Sequence, residues 1–455
     1  MAPNIASDTK IDVSDVIERQ PPGRFLYGLV LLCWTITFFD GFDSNVIAFA
    51  APYLSAEFHL DRVMMGNIFS IGLLGSLIGG FAFGYLGDRI GRRPGIILAT
   101  AAFGALTLIL VFASGYGSLL ALRFLNGIAV GGMLPLAWAL NIEYAPKRYR
   151  STVVTVIMVG YSLGTALGGP VSVWLIPLFG WQSVFVLGGT LSLLSAAALL
   201  ILLPESVRFL ASKGQKPAYV AQQLSRLTGR AVPPNARFVD ADEAGQAKDF
   251  TPSLLFVGHL RWITPLLWTA YIFSSVTAFF LATWTPLVFE AIHFSRNSAA
   301  LAGTLNSIAG AVGGLLLMRF TDLKGSIAIT AMPLAAIPLL LILAFIDLDQ
   351  AMFMTLFVVI ALFILGGHLG LHSIAGVFYP SAYRGNGAGW ATSVAKIGSI
   401  AGPALAGVIL STDLPVRHIF ALLAICPAVF VVCIVIIGRL HAGLLQQEVQ
   451  ATKAA

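Results

Sequence analysis

Charge is scarce in this chain. Only 11% of its 455 residues are Asp, Glu, Lys or Arg, whereas a soluble domain carries about 25%. The deficit excludes an ordinary water-soluble globule, and a hydrophobic content of 57% with mean hydropathy +0.87 points to a chain that lives in lipid. Cysteine is nearly absent: Cys33, Cys426 and Cys433 all fall in apolar runs, so neither a disulfide framework nor a zinc-ligand spacing exists, and such thiols act as small hydrophobes. No basic run is interleaved with aromatics, so the pI near 9.3 reflects basic loops and nucleic acid is excluded as a partner. Nucleophilic triads, phosphate loops and paired acids in an accessible cleft are lacking too. The chain is therefore expected not to be an enzyme and to need no cofactor and no metal. The N-terminal twenty-odd residues are polar (Asp8, Lys10, Asp12, Asp15, Glu18, Arg19), with no apolar core or cleavage site, and are expected to stay cytoplasmic.

What the chain has instead is long apolar runs. Twelve are read, near 25–50, 64–86, 94–113, 117–140, 152–176 and 181–203, then 261–289, 298–319, 326–346, 351–377, 386–410 and 417–438. The expected architecture is an all-α membrane protein of twelve transmembrane helices in two six-helix halves. Its parts are a cytoplasmic N-terminal segment (1–24), a first half (25–203), a cytoplasmic linker (204–260), a second half (261–438) and a cytoplasmic tail (439–455). The linker contains Pro233-Pro234 and predicts a short amphipathic helix near Tyr219–Leu227. Basic residues cluster on one side: Arg89, Arg92, Arg93, Lys147, Arg148, Arg150, Arg319, Lys324, Arg384 and Arg439, against Arg62, Arg296 and Arg417 on the other. This asymmetry predicts that both termini and the linker are cytoplasmic.

The halves repeat. Asp88-x-x-Gly91 recurs as Asp322-x-x-Gly325, and Pro146-x-x-Tyr149-Arg150 recurs as Pro380-x-x-Tyr383-Arg384, both at an interval of 234 residues (322 minus 88, 384 minus 150). Gly164, Gly168, Trp34 and Pro52 find Gly398, Gly402, Trp268 and Pro286 at that interval. A constant displacement over several spans implies duplicated, pseudo-symmetric halves with a site near the bilayer midplane.

Two carboxylates interrupt the first span. Asp40 and Asp43 lie three residues apart, on one helical face, where each raises the other's proton affinity. A carboxylate at membrane depth costs about 2.5–3.5 kcal/mol, so the pair is a candidate proton site. Arg123, in Arg123-x-x-x-Gly127-x-x-x-Gly131, is a candidate partner for these acids; the alternative is that it snorkels to the interface. Lys396 is the lysine within a predicted span, a candidate for a substrate carboxylate or a structural partner of an acid in span one. His368 and His372, one turn apart, are candidates to bond a substrate or to titrate. Trp138, Tyr271, Trp284 and Trp390 are candidate aromatic walls, and Asn306 a polar contact.

Gly84-x-x-x-Asp88-Arg89-x-Gly91-Arg92-Arg93 is similar to the cytoplasmic signature of the major facilitator superfamily, with a degenerate copy at Asp322. Physically it reads as an ionic latch, and Asp88, Arg89, Gly91, Arg92, Asp322, Arg150 and Arg384 are its candidate gating residues. Asp40-Gly41-Phe42-Asp43, Leu122-Arg123-Phe124-Leu125, Glu143-Tyr144-x-Pro146, Leu203-Pro204-Glu205-Ser206-x-Arg208-Phe209-Leu210, Trp284-x-Pro286 and Phe378-Tyr379-Pro380 resemble the aromatic acid:proton symporter family within it. The resemblance implies the major facilitator fold in a bacterial inner membrane, and uptake of benzoate-, hydroxybenzoate- or phenylalkanoate-like acids driven by protons. It also implies that the span-one acids and Arg123 are essential. A basic residue is frequent at the position of Lys396 in that family, usually arginine, so lysine departs from bidentate clamping but not from charge pairing. A porter of non-aromatic carboxylates or diacids, an exporter, and a non-transporting receptor remain the alternatives. A monomer suffices for this fold, with substrate, protons and the bilayer as its partners.

Overall fold

Each apolar run becomes a helix because in hydrocarbon every backbone N–H must be satisfied within its own segment. The computed structural model describes residues 10–21, 23–234, 236–240, 251–324, 329–374, 379 and 384–454; the side chains of 151, 318–324, 372–374, 384–385 and 441–454 lie outside that description. The helices are α1 Val13–Glu18, α2 Arg24–Phe58, α3 Arg62–Ile90, α4 Arg92–Leu110, α5 Tyr116–Tyr144, α6 Arg150–Phe179, α7 Gln182–Leu202, α8 Val207–Ser212 and α9 Pro217–Thr228. They continue with α10 Leu260–Ala291, α11 Arg296–Lys324, α12 Ala331–Phe345, α13 Gln350–Ile374, α14 Arg384–Leu410, α15 Ile419–Leu423 and α16 Ile425–Ala454. Among the described residues, eleven helices are long and apolar enough to cross a bilayer. The predicted ninth span is shorter than expected, the 15 residues of α12, with 325–328 before it outside the described residues. The first runs on past its predicted end to Phe58, with Pro52 inside it.

Two compact units emerge, and they do not follow chain order. Unit 1 comprises 1–44, 74–165 and 182–247, and unit 2 comprises 45–73, 166–181 and 248–455. Unit 1 is built on a core in which α4, α5 and the start of α2 meet, through Ile36, Phe103, Met133, Leu140 and Tyr144. In unit 2, α10 is the central helix, with Tyr271, Leu267 and Ile263 packed among Leu371, Ala395 and Phe430. Within that unit Asn45 donates to Ser307 Oγ at 3.0 Å, and Ser70 to the carbonyl of Ile400 at 2.7 Å.

Helices approach closely where glycine removes the Cβ. A Cβ on Gly164 would meet the carbonyl of Phe38, and one on Gly398 would meet that of Ile272. Gly79 faces the Ile128 carbonyl, and Gly313 that of Leu362. In both comparisons glycine and partner are each displaced by 234 residues (398 minus 164, 272 minus 38; 313 minus 79, 362 minus 128), so the sequence repeat is also a repeat of helix contacts.

The linker helix forms as predicted, as α9, with Val220 and Leu224 on its buried face. The N-terminal segment is more ordered than a polar tail suggests. Lys10–Asp12 (β1) pairs in parallel with Arg237–Val239 (β2), and Val13 and Ile17 are fully buried against Val207, Leu210, Val220 and Phe238. Asp12 caps α1 through Ser14 N, and Glu18 accepts from the backbone N–H of Lys147 at 3.0 Å.

The close approach at Gly164 makes a specific demand. Gly164→Leu is expected to cost about 1–3 kcal/mol by overpacking, lowering the melting temperature in detergent by about 1–3 °C. Gly28→Leu, with nothing within 4 Å of its Cβ position, is the matched control; equal melting of the two variants would deny the contact.

Candidate functional site

α2 is apolar for most of its length, so its two acids must find compensation inside the protein. Asp40 is 1% exposed and Asp43 5% exposed. Arg123 on α5, 8% exposed, reaches Asp43 with Nη1 3.2 Å from Oδ2. The snorkelling alternative for Arg123 is thereby overturned: the guanidinium is turned inward onto a carboxylate. Attraction between charges grows as the local dielectric falls, but two ions also lose their water, so this pair is a device for specificity rather than a large net stabiliser. Asn126, one turn on from Arg123, is fixed by Thr107 Oγ1 at 2.8 Å and orients α5 against α4.

Tyr161 on α6 completes this cluster. Its hydroxyl bonds the Ser44 side chain and lies within electrostatic reach of Asp40 and then Asp43. A Cβ on Gly41, between the acids, would meet the Tyr161 backbone, so α2 and α6 touch main chain to main chain at the carboxylates. Tyr161 and Ser44 were not among the sequence candidates. The signal available was position: Tyr161 stands in the run Gly160-Tyr161-Ser162-Leu163-Gly164, whose glycines face α2.

The signature loop is held by a network of bonds within unit 1. Gly91, at φ +108°, caps α4 with a conformation that L side chains avoid. Arg92 bonds Asp88 at 2.7 Å, the Gly87 carbonyl at 2.7 Å and Glu143 at 3.0 Å. Glu205 accepts from the backbone N–H groups of Arg92 at 2.9 Å, Arg93 at 3.2 Å and Ser206 at 2.8 Å. Arg208 joins it through the Glu143 carbonyl at 2.9 Å and Ser14 Oγ at 2.9 Å. Arg89 instead stacks 4.6 Å over Tyr85. Arg150 bonds the Ala145 carbonyl at 3.3 Å and pairs with Glu18 at 3.8 Å. The side chains of Asp322 and Arg384 lie outside the described residues.

The remaining candidates are spread over both units. In unit 2, His368 Nδ1 is 3.0 Å from Ser274 Oγ, whereas the His372 side chain lies outside the described residues. Tyr271 is fully buried and donates to the Leu371 carbonyl at 3.1 Å. Trp284 is equally buried, donates to the Pro403 carbonyl at 3.1 Å and meets Phe69 edge-on. Both therefore spend their polar group on packing. Trp390 is 41% exposed and stacks on Trp268 with centroids 6.1 Å apart. Lys396 is partly buried in α14, and its carbonyl accepts from Ser399. The buried Asn306 Oδ1 in unit 2 and the buried Trp138 Nε1 in unit 1 have no hydrogen-bond partner among the described residues.

The profile of the Major Facilitator Superfamily matches residues 33–367. The chain is 33% identical to a gallate transporter of Pseudomonas putida, covering 96% of this chain and 97% of that one. It is 31% identical to a 4-hydroxybenzoate transporter of Acinetobacter baylyi, covering 94% of each. Among solved structures it resembles a D-xylose-proton symporter, with a TM-score of 0.70 at 18% identity over 91% of this chain and 97% of that one.

Removing one member of the buried pair leaves a lone charge, a loss of about 3–5 kcal/mol. Arg123→Gln is therefore expected to melt well below the unmodified protein in detergent, and Asp43→Asn/Arg123→Gln to recover most of the difference. A double variant as unstable as the single one would show that the two side chains are not energetically paired.

Proposed function

The chain belongs to the major facilitator superfamily, as a multi-pass membrane transporter rather than an enzyme, and from that premise we propose that it imports an aromatic carboxylic acid together with protons. The observation that carries this reading is the buried Asp43–Arg123 pair beside Asp40. An exchange of partners converts such a pair into a coupling device. With no substrate, Arg123 holds Asp43. A substrate carboxylate offers Arg123 a charge partner in place of the single Nη1–Oδ2 contact with Asp43, but Asp43 would then be left charged in a low-dielectric setting, which is costly. Protonating Asp43 removes that cost, so proton and anion are favoured together. Asp40 and Tyr161 tune the proton affinity of Asp43 from the same helix face and from α6. Release of the proton to the more alkaline cytoplasm restores the pair and expels the anion. The bacterial relatives named for gallate and 4-hydroxybenzoate support an aromatic acid over a diacid. Lys396 and His368 stay proposed substrate contacts, and the Arg92 network a proposed gate. The reading carries with it an inner-membrane location, cytoplasmic termini and a monomer.

The test is uptake of labelled 4-hydroxybenzoate, benzoate and 3-phenylpropionate into proteoliposomes under an inward pH gradient. Accumulation of at least one of them is expected, lost when an uncoupler collapses the gradient. Asp43→Asn, fixed in the protonated form, is expected to equilibrate substrate without concentrating it. Concentrative uptake by Asp43→Asn would remove Asp43 from the coupling step, and failure of all three acids in folded protein would overturn the substrate class.

A further inference from the structure

At the signature-loop end of unit 1 a groove of about 540 Å³ opens between α4 and α7. Its wall is apolar, made by Ile97, Leu98 and Ala101 of α4 and by Leu200 of α7. Leu98 and Leu200 are 50% and 58% exposed, on helices that span the membrane. Its rim carries Arg93, the second residue of α4, and Lys216, the N-cap of α9. An amphiphile fits that combination: an apolar slot within the spans, topped by cations where the spans end.

Cations outnumber acids in the groove, Arg93 and Lys216 against Glu205. Glu205 also lines it, but its carboxylate is already satisfied by three backbone N–H groups. Arg93 donates Nη2 to the Leu200 carbonyl at 2.6 Å, while its buried Nε has no hydrogen-bond partner among the described residues. Neither Arg93 nor Lys216 makes a salt bridge among the described residues. A second groove, of about 230 Å³, shares Arg93 and Tyr219 with the first and adds Arg226 beside Phe25, Ile201 and Leu202. The first groove is thus the apolar one, and the second, with Gln222, Gln223 and Arg226 in its lining, adds polar groups beside the same guanidinium.

We propose that the larger groove is a binding site for one anionic phospholipid of the adjacent leaflet. The headgroup phosphate lies against Arg93 and Lys216, and an acyl chain descends along Ile97, Leu98 and Ala101. The cations select an anionic headgroup over a zwitterionic one. The site is separate from the Asp43–Arg123 cluster and does not depend on what the protein carries.

Native mass spectrometry of the full-length protein in detergent, titrated with palmitoyl-oleoyl phosphatidylglycerol or phosphatidylcholine, reads this directly. One phosphatidylglycerol is expected to be retained in preference to phosphatidylcholine. Each basic residue near a membrane surface contributes about fivefold in affinity. Lys216→Gln, at an exposed position, is therefore expected to weaken phosphatidylglycerol about fivefold, and Arg93→Gln/Lys216→Gln by at least ~20-fold. Ala101→Trp, which fills the larger slot with both charges intact, is expected to lose the lipid as well, whereas Arg230→Gln, outside both grooves, is not. Equal retention of the two lipids, or phosphatidylglycerol bound as well by Lys216→Gln and Ala101→Trp as by the unmodified protein, would reduce the grooves to ordinary lipid-facing surface.

Discussion

A carboxylate inside an apolar helix has to be neutralised, and much of unit 1 is arranged so that Asp43 is. Its partner comes from α5, where Arg123 is held at a buried position by packing and by the Asn126 anchor one turn away. The third helix, α6, comes close enough only because Gly41 and Gly164 remove side chains at its contact with α2. Small residues and the ion pair are thus one construction: without the glycines Tyr161 would stand off from the acids. Arg123 is paired with Asp43, and Asp40 precedes Asp43 by three residues on the same helix.

The duplication of the fold stops short of the charge. Gly79 and Gly164 have counterparts in Gly313 and Gly398, each facing the counterpart carbonyl, so the helix frame is copied. At the same interval of 234 residues Asp40 becomes Ser274, Asp43 becomes Thr277 and Arg123 becomes Phe357. The second copy therefore replaces ionised groups with hydroxyls and a ring. Ser274 carries its own polar partner in His368. The helix frame is thus common to both copies, whereas the paired aspartate and arginine belong to the first.

What the chain spells out in order is what hydropathy can express. The spans, the acids, Arg123 and the signature loop all stand out as breaks in, or boundaries of, apolar runs, and the structure puts Asp43 and Arg123 together. Tyr161, Ser44 and Ser274 were not legible, because a hydroxyl in a helix is common and its partner is set by rotation about the helix axis. Tyr271 and Trp284 illustrate the converse: a large aromatic in a span looks the same whether its polar atom meets a ligand or, as here, a neighbouring carbonyl. The N-terminal strand escaped for another reason. Lys10–Asp12 is too short to declare itself, and its pairing with Arg237–Val239 joins segments more than two hundred residues apart.

α5 ties the buried pair to the latch. It carries Arg123 toward one end and Glu143 at the other, twenty residues apart, or about 30 Å along a straight helix at 1.5 Å per residue. Glu143 meets Arg92, and its carbonyl holds Arg208, which in turn holds Ser14 of the N-terminal segment. Pro135 lies between the two ends and removes one backbone hydrogen bond from the helix. A rearrangement that draws Arg123 away from Asp43 must therefore either shift Glu143 against Arg92 or bend α5 near Pro135. In either case the N-terminal segment, fixed by Arg208 and by Glu18 at the head of the turn before α6, resists the motion. The polar ends of the chain thus belong to the same mechanical unit as the charges at its centre.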